Sequence, residues 1–359
     1  MTSALTRNRL TAATPPNRAV AVWLLICCTA IFAMVVLGGV TRLTGSGLSM
    51  VTWDPLTGVL PPLNQGAWEE AFHRYQQFPE FQYKNAGMDL KGFKTIFWLE
   101  YAHRLLGRSI GLIFFIPLFY FSVTGRLAGH LQRQVLAIFA LGAVQGLVGW
   151  YMVQSGLVDN PHVSQYRLAA HLGLAFIIYS SVLWLALNLF FPPSKHRSPG
   201  ASPALKRLSL ATAGAVFFTA LSGAFVAGLK AGFIYNTFPM MGDRWLPEEL
   251  LALSPAWRNV FENAVTVQFD HRLLALTVAA VVLALWKRAY KERVNARARL
   301  AANLLLTAVA LQLALGITTL LLEVPVALGA AHQAGALVLL TAAVFAVHAV
   351  RDDDGMLSG

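Results

Sequence analysis

The tetrapeptide His-Arg-Leu-Leu occurs twice, at His103–Leu106 and at His271–Leu274, each time at the mouth of a long apolar run. Two apolar runs further on in each case stands another histidine, His171 in "LAAHLG" and His332 in "GAAHQAG". Ionisable residues inside such runs are costly and tend to be functional. Three residues before the first motif is Glu100; the second has Gln268 there, similar in shape but unable to ionise. Positions i and i+3 share a helix face, so Glu100 lies on the His103 side of its helix. An ionisable group is thus present beside one histidine and absent beside its counterpart.

A single histidine in an apolar segment commonly serves as a hydrogen-bonding residue between helices. Four at repeated positions and common depth point to ligands acting in pairs, His103 with His171 and His271 with His332. A zinc site would want further Cys or carboxylate ligands. Two histidines on facing helices of an apolar four-helix bundle suit a porphyrin iron gripped from both faces. The loop histidines His73, His130, His162 and His196, and His348 at the end of the last run, are weaker candidates and read as solvated or structural.

The elements that must position these residues are membrane spans. The chain has 359 residues, 56% hydrophobic and only 13% charged, about half the charge of a soluble globule. Eight runs reach the roughly 18 residues needed to cross a bilayer: about 19–40, 98–124, 132–154, 167–191, 205–228, 266–286, 299–322 and 325–349. The first is followed by many others and reads as a retained span. The fold class is therefore an all-α polytopic membrane protein. An offset of 168 superposes the two His-Arg-Leu-Leu motifs, and "QGLVG" (Gln145 to Gly149) falls near "QLALG" (Gln312 to Gly316). Four spans per repeat keep both copies in one orientation, so the expectation is two parallel-repeat four-helix bundles. Residues 1–191 form the N-terminal half, with a long outer loop at 41–97. Residues 192–204, rich in proline, serine and basic side chains, form a cytoplasmic linker, and 205–359 form the C-terminal half.

Charge sets the orientation. With the N-terminus inside, the inner segments hold 16 of the 28 basic residues and four of the 17 acids, which splits the formal +11 into +12 inside and −1 outside. That is the positive-inside pattern, and it leaves no excess to argue for nucleic acid as a partner. Both termini are then cytoplasmic, and the four histidines lie near the outer face. Cys27 and Cys28 are adjacent, closer than disulfide geometry permits, and read as core residues. In the outer loop, Trp68, Ala71, Phe72 and Tyr75 fall at helical spacing, predicting a short amphipathic helix that is either a lid or a membrane-surface helix.

With these residues in view, the chain resembles the haem A synthase family, in its cysteine-free bacterial and mitochondrial subgroup. The resemblance runs through "GGVTRLTGSGLSM", "WDPLTGVLPP", "EYAHRLLGR", "AAHLGLA", "FDHRLLA" and "AAHQAGA". It implies a membrane oxidoreductase that oxidises the C8 methyl of haem O to a formyl group, through an alcohol, for cytochrome oxidase assembly. By the same resemblance, His271 and His332 are axial ligands of a haem b iron. His103 and His171 belong to the substrate-haem site, and Glu100 is the essential acid. Propionates need cationic partners, for which Arg42, Arg104 and Arg272 are the best placed, each also suited to anchoring at the interface. Also implied are a bacterial inner membrane location, haem O synthase and oxidase assembly factors as partners, membrane lipid around the spans, and an electron donor or acceptor of unknown identity. Two other functions use the same four histidines: a dihaem b-type electron-transfer protein, which has no need of Glu100, and a haem transporter or chaperone, which needs an exchangeable porphyrin.

Overall fold

The computed structural model describes residues 18–52, 57–157, 163–192, 201–292 and 294–351. Residues 53–56 of the "WDPL" segment, His162, His196, most of the 192–204 linker and the charged residues of both chain ends lie outside the described residues. Among the described residues the regular elements are all helices, with one isolated β-bridge between Met241 and Arg244. Eight helices are long and apolar enough to span a membrane: α1 (Arg18–Leu43), α4 (Leu90–Val123), α5 (Gly129–Gly156), α6 (Gln165–Phe190), α7 (Pro203–Gly228), α9 (Ala264–Lys291), α10 (Ala296–Leu321) and α11 (Val326–Val350). The shortest has 25 residues, about 37 Å at 1.5 Å per residue and longer than a 30 Å hydrocarbon core. Three shorter helices, α2 (Gln65–Gln76), α3 (Pro79–Lys84) and α8 (Asn259–Glu262), belong to the connecting loops.

Most helix starts carry the polar residue that satisfies the first free backbone N–H groups. Asn64, Asp89, Ser164, Ser202, Asn263 and Asn295 each accept a bond from a backbone N–H of the turn they open. Apolar side chains on all sides then make helix the only way to satisfy the backbone within lipid.

The packing order is the same in the two halves. α1 touches α4 and α6, and α5 touches the same two; α7 touches α9 and α11, and α10 touches the same two. The halves meet through α1, α6, α7 and α11, where Tyr179 and Thr341 share a 2.8 Å hydrogen bond. Accordingly α1, α6 and α11 are the most buried spans, whereas α5 is the least. Cys27 and Cys28 are both free and buried in this core, as read from the sequence.

One expectation is corrected. α4 starts at Leu90, about two turns earlier than the hydropathy pattern placed it, so His103 lies about three and a half turns into its helix instead of in the first turns. The cause is that Asp89 caps the helix, accepting from Gly92 N at 2.7 Å, and the added turns carry Phe93, Ile96 and Phe97 into a separate aromatic core. α2 forms where expected, but its apolar face is buried against α4: Trp68 packs edge-on against Phe97 at 4.9 Å and Tyr75 stacks on Phe93 at 5.2 Å. A simple membrane-surface helix would turn that face to lipid.

Candidate functional site

All four paired histidines rest on a glycine of a neighbouring helix. His103 on α4 lies against Gly38 of α1, where an added Cβ would come within 3.0 Å of its Nε2. His171 on α6 lies against Gly149 of α5, His271 on α9 against Gly223 of α7, and His332 on α11 against Gly316 of α10; there the added Cβ would meet the imidazole Cε1 at 2.9, 3.2 and 2.8 Å. Small residues let transmembrane helices approach closely. Here the space they leave is filled by an imidazole.

The second histidine of each pair has a further support from the same neighbouring helix. Gln145, one turn before Gly149, donates to the His171 carbonyl at 3.0 Å and lies 3.4 Å from its Nε2. Gln312, one turn before Gly316, donates to the His332 carbonyl at 2.9 Å and lies 3.1 Å from its Nδ1. The Gln-x-x-x-Gly spacing, legible in the sequence as a repeat landmark, thus builds the same seat twice.

Ser222 supports His271 alone. Its hydroxyl donates to the Thr219 carbonyl at 2.7 Å and lies 2.7 Å from His271 Nδ1. With its proton engaged by Thr219, the hydroxyl accepts from Nδ1–H, which leaves Nε2 as the unprotonated, ligand-competent nitrogen. The residue before Gly38 is Leu37, which has no hydroxyl to offer His103.

These residues fit a metal held between two imidazoles. The His271 and His332 rings are 6.4 Å apart between centroids, at 88° to one another. With metal–imidazole bonds of about 2 Å and ring nitrogens about 1 Å from their centroids, two axial imidazoles stand about 6 Å apart. In the first half, His171 Nδ1 is buried with no hydrogen-bond partner among the described residues, an orphan of the kind that calls for explanation in a buried site. Among the described residues no cluster of three or more His, Cys, Asp or Glu side chains forms. What the described residues bring together in the second half is thus a single facing pair of imidazoles, a donor set that suits a porphyrin iron.

Glu100 is buried and fully engaged. Ser49 Oγ and Met50 N donate to its Oε2 at 2.7 and 2.8 Å; Arg104 Nε and Nη2 donate to its Oε1 at 3.0 and 2.6 Å. Arg104 goes on to donate to the carbonyls of Met50 and Thr52. In the second half Gln268 donates to the carbonyls of Ala231 and Tyr235, while Arg272 donates to those of Tyr235, Thr237 and Met240. Arg104 and Arg272 are thus both bound to the chain that follows the preceding span. Arg42 lies in the last turn of α1, half-buried. Beyond the spans, Tyr75 donates to the buried Glu80 carboxylate at 3.3 Å, and burial pushes that carboxyl up to about 7. Lys84 opposes the rise, and the Glu100 charge adds to it.

Sequence reasoning named the histidines, Glu100 and the arginines, and had Gly149 and Gly316 as repeat landmarks; it missed Gly38, Gly223 and Ser222, whose roles depend on which helix lies opposite. Comparison with known proteins places the chain in a family. A family model described as "Cytochrome oxidase assembly protein", COX15-CtaA, matches residues 21–344. The chain is similar to a protein named Heme A synthase from Nitrosospira multiformis, 53% identical over 335 residues, 93% of this chain and 94% of that one. It is also similar to proteins named Heme A synthase COX15 from Homo sapiens, 48% identical over 93% of this chain and 83% of the relative, and from Arabidopsis thaliana, 46% identical over 92% and 74%. The chain belongs to the COX15-CtaA family of cytochrome oxidase assembly proteins.

Proposed function

We propose that this chain oxidises the C8 methyl group of haem O to the formyl group of haem A, through an alcohol, for cytochrome oxidase assembly. The observation that carries the reading is the doubled, glycine-seated histidine pair, and the names of its relatives support it. His271 and His332 hold a haem b iron in the C-terminal half. His103 and His171 hold the substrate haem in the N-terminal half, with haem O supplied by its synthase.

The bound haem b would supply one-electron redox chemistry while the protein supplies position. Ser222 orients the His271 imidazole of that site, Gln312 ties the His332 backbone to α10, and Gly223 and Gly316 let the two imidazoles sit close to the helix axes. At the substrate site, Glu100 holds Arg104 and the Ser49–Thr52 segment beside His103. Its carboxylate, held by Arg104, Ser49 and Met50, is placed to stabilise positive charge as the methyl is oxidised. Arg42 is the propionate partner we favour, because the Arg104 and Arg272 guanidinium groups are already committed to loop carbonyls.

The haem sites lie on the outer side of a bacterial inner membrane, with both termini cytoplasmic; the +12 inner charge supports this orientation. Pigment extraction from cells that express the chain together with a haem O source tests the function. Haem A in the extract is the expected result. An extract holding only haems B and O would instead support an electron-transfer protein or a haem carrier.

A further inference from the structure

Gln333 follows His332 on α11 and lies about 100° further round the helix. Its amide donates across the boundary between the halves to the Val35 carbonyl of α1 at 2.6 Å. The contact exists because residue 39 is glycine: a Cβ there would stand 2.5 Å from Gln333 Oε1 and 2.8 Å from Cδ. The next residue back, Gly38, seats His103. A continuous set of contacts therefore runs from His332 through Gln333, Val35 and Gly39 to Gly38 and His103. The corresponding place in the other half lacks this feature, since Leu172 follows His171 and Ala224 follows Gly223. The half-buried amide is held by this interhelical hydrogen bond, of the kind polar side chains make between transmembrane helices.

We propose that Gln333, in the socket made by Gly39, is a positioning residue that couples the two haem sites, registering α1 and its His103 seat against the His332 side of the second site. The proposal rests on the reading of one haem site in each half. An error of about 1 Å in placing a reacting group costs on the order of 100-fold in rate, so a helix registered by one amide matters to the chemistry in the first half.

The test uses the purified full chain with Gln333→Leu, which keeps the bulk and removes the amide, and Gly39→Ala, which closes the socket from the opposite helix. Zinc protoporphyrin, which is redox-silent, serves as the probe for the first half. In the wild type, saturating probe is expected to shift the reduction potential of the second-half haem. Both variants should keep that haem and its bis-histidine spectrum and bind the probe, yet show no shift, with haem A formation about 10- to 100-fold lower. A shift that persists in either variant, or haem A formation at the wild-type rate, overturns the coupling; so does a wild type that shows no shift. A wild type with no bis-histidine haem, or one that does not bind the probe, would sink the two-site reading itself and the coupling with it. Should Gln333→Leu fail to assemble, Gly39→Ala alone decides, because it leaves the amide in place and alters only the socket.

Discussion

Arg104 Nη2 stands 2.6 Å from the Glu100 carboxylate while the same guanidinium holds the carbonyls of Met50 and Thr52. One ion pair therefore secures both a side chain and the backbone that follows α1. The second half repeats the latch with Gln268 and Arg272, but the loop polarity is inverted. Around residues 49–50 the loop presents a hydroxyl and an N–H, which need an acceptor; at Ala231 and Tyr235 it presents carbonyls, which need a donor. A carboxylate suits the first and an amide the second. The Glu/Gln difference between the halves thus has a structural cause.

Exchanging these side chains should therefore fail in both directions. Glu100→Gln sets an amide NH2 against donors on one side or the other and breaks a buried pair, a loss of about 3–5 kcal/mol. Haem A formation is expected to fall at least about 100-fold, with haem O or the alcohol accumulating and the second-half haem retained. Gln268→Glu sets a carboxylate against two carbonyls and should lower the thermal midpoint and the content of second-half haem. Pigment extraction and thermal unfolding read both, and wild-type haem A output from Glu100→Gln would remove Glu100 from the site.

The glycine seats make a graded prediction. Gly316→Ala, with a Cβ 2.8 Å from His332 Cε1, should lose the bis-histidine haem spectrum, whereas Gly223→Ala, at 3.2 Å, should weaken it less. Gly149→Ala should spare that spectrum and depress haem A formation. An absorption spectrum and a pigment extract of each variant check the order, and equal effects on both halves would contradict the assignment of separate sites.

Ser222→Ala removes the acceptor for His271 Nδ1–H. Partners of this kind contribute about 10- to 100-fold to metal affinity, so the variant should release haem more readily and show a shifted reduction potential while folding normally. Ser222→Thr, which keeps the hydroxyl, should restore the potential. Redox titration distinguishes the two, and an unchanged potential in Ser222→Ala would mean the hydroxyl does not orient the ligand.

Glu80 gives the α2–α3 segment a pH dependence. Its folded carboxyl is raised to about 7 by burial, from an ordinary value near 4.5. Between those values the folded state keeps a proton that the unfolded state has released, so stability falls as pH rises. The contribution is complete below about 4.5 and lost by pH 7 to 8. Limited proteolysis of the α2–α3 segment should therefore be faster at pH 8 than at pH 5. Glu80→Gln should flatten that dependence and slow cleavage at pH 8; a flat profile in the wild type would contradict the burial argument.

Orientation is checked with reporter fusions. Insertions in the 44–89 and 229–263 connections are expected to report the outer side, and those at 192–204 or 292–295 the cytoplasm. The reverse result would carry all four histidine seats to the inner face.

The sequence by itself determined the eight spans, the places of the four histidines within them and the Glu100/Gln268 difference. The physical reason is that lipid leaves the backbone only its own helix to bond with, so each span announces itself locally, and a costly polar residue inside one stands out without reference to any other. Even the Gln-x-x-x-Gly seats were present as a repeated spacing. Only the tertiary structure decided what those residues touch. That Gly38 seats His103, that Ser222 orients His271, that α2 packs on an extended α4, and that Gln333 reaches Val35 across 298 positions of chain are facts about which helix faces which. Glycine and serine are common in membrane helices and carry no local mark of the side chain opposite. Their meaning appears only when two distant segments pack within a few ångströms.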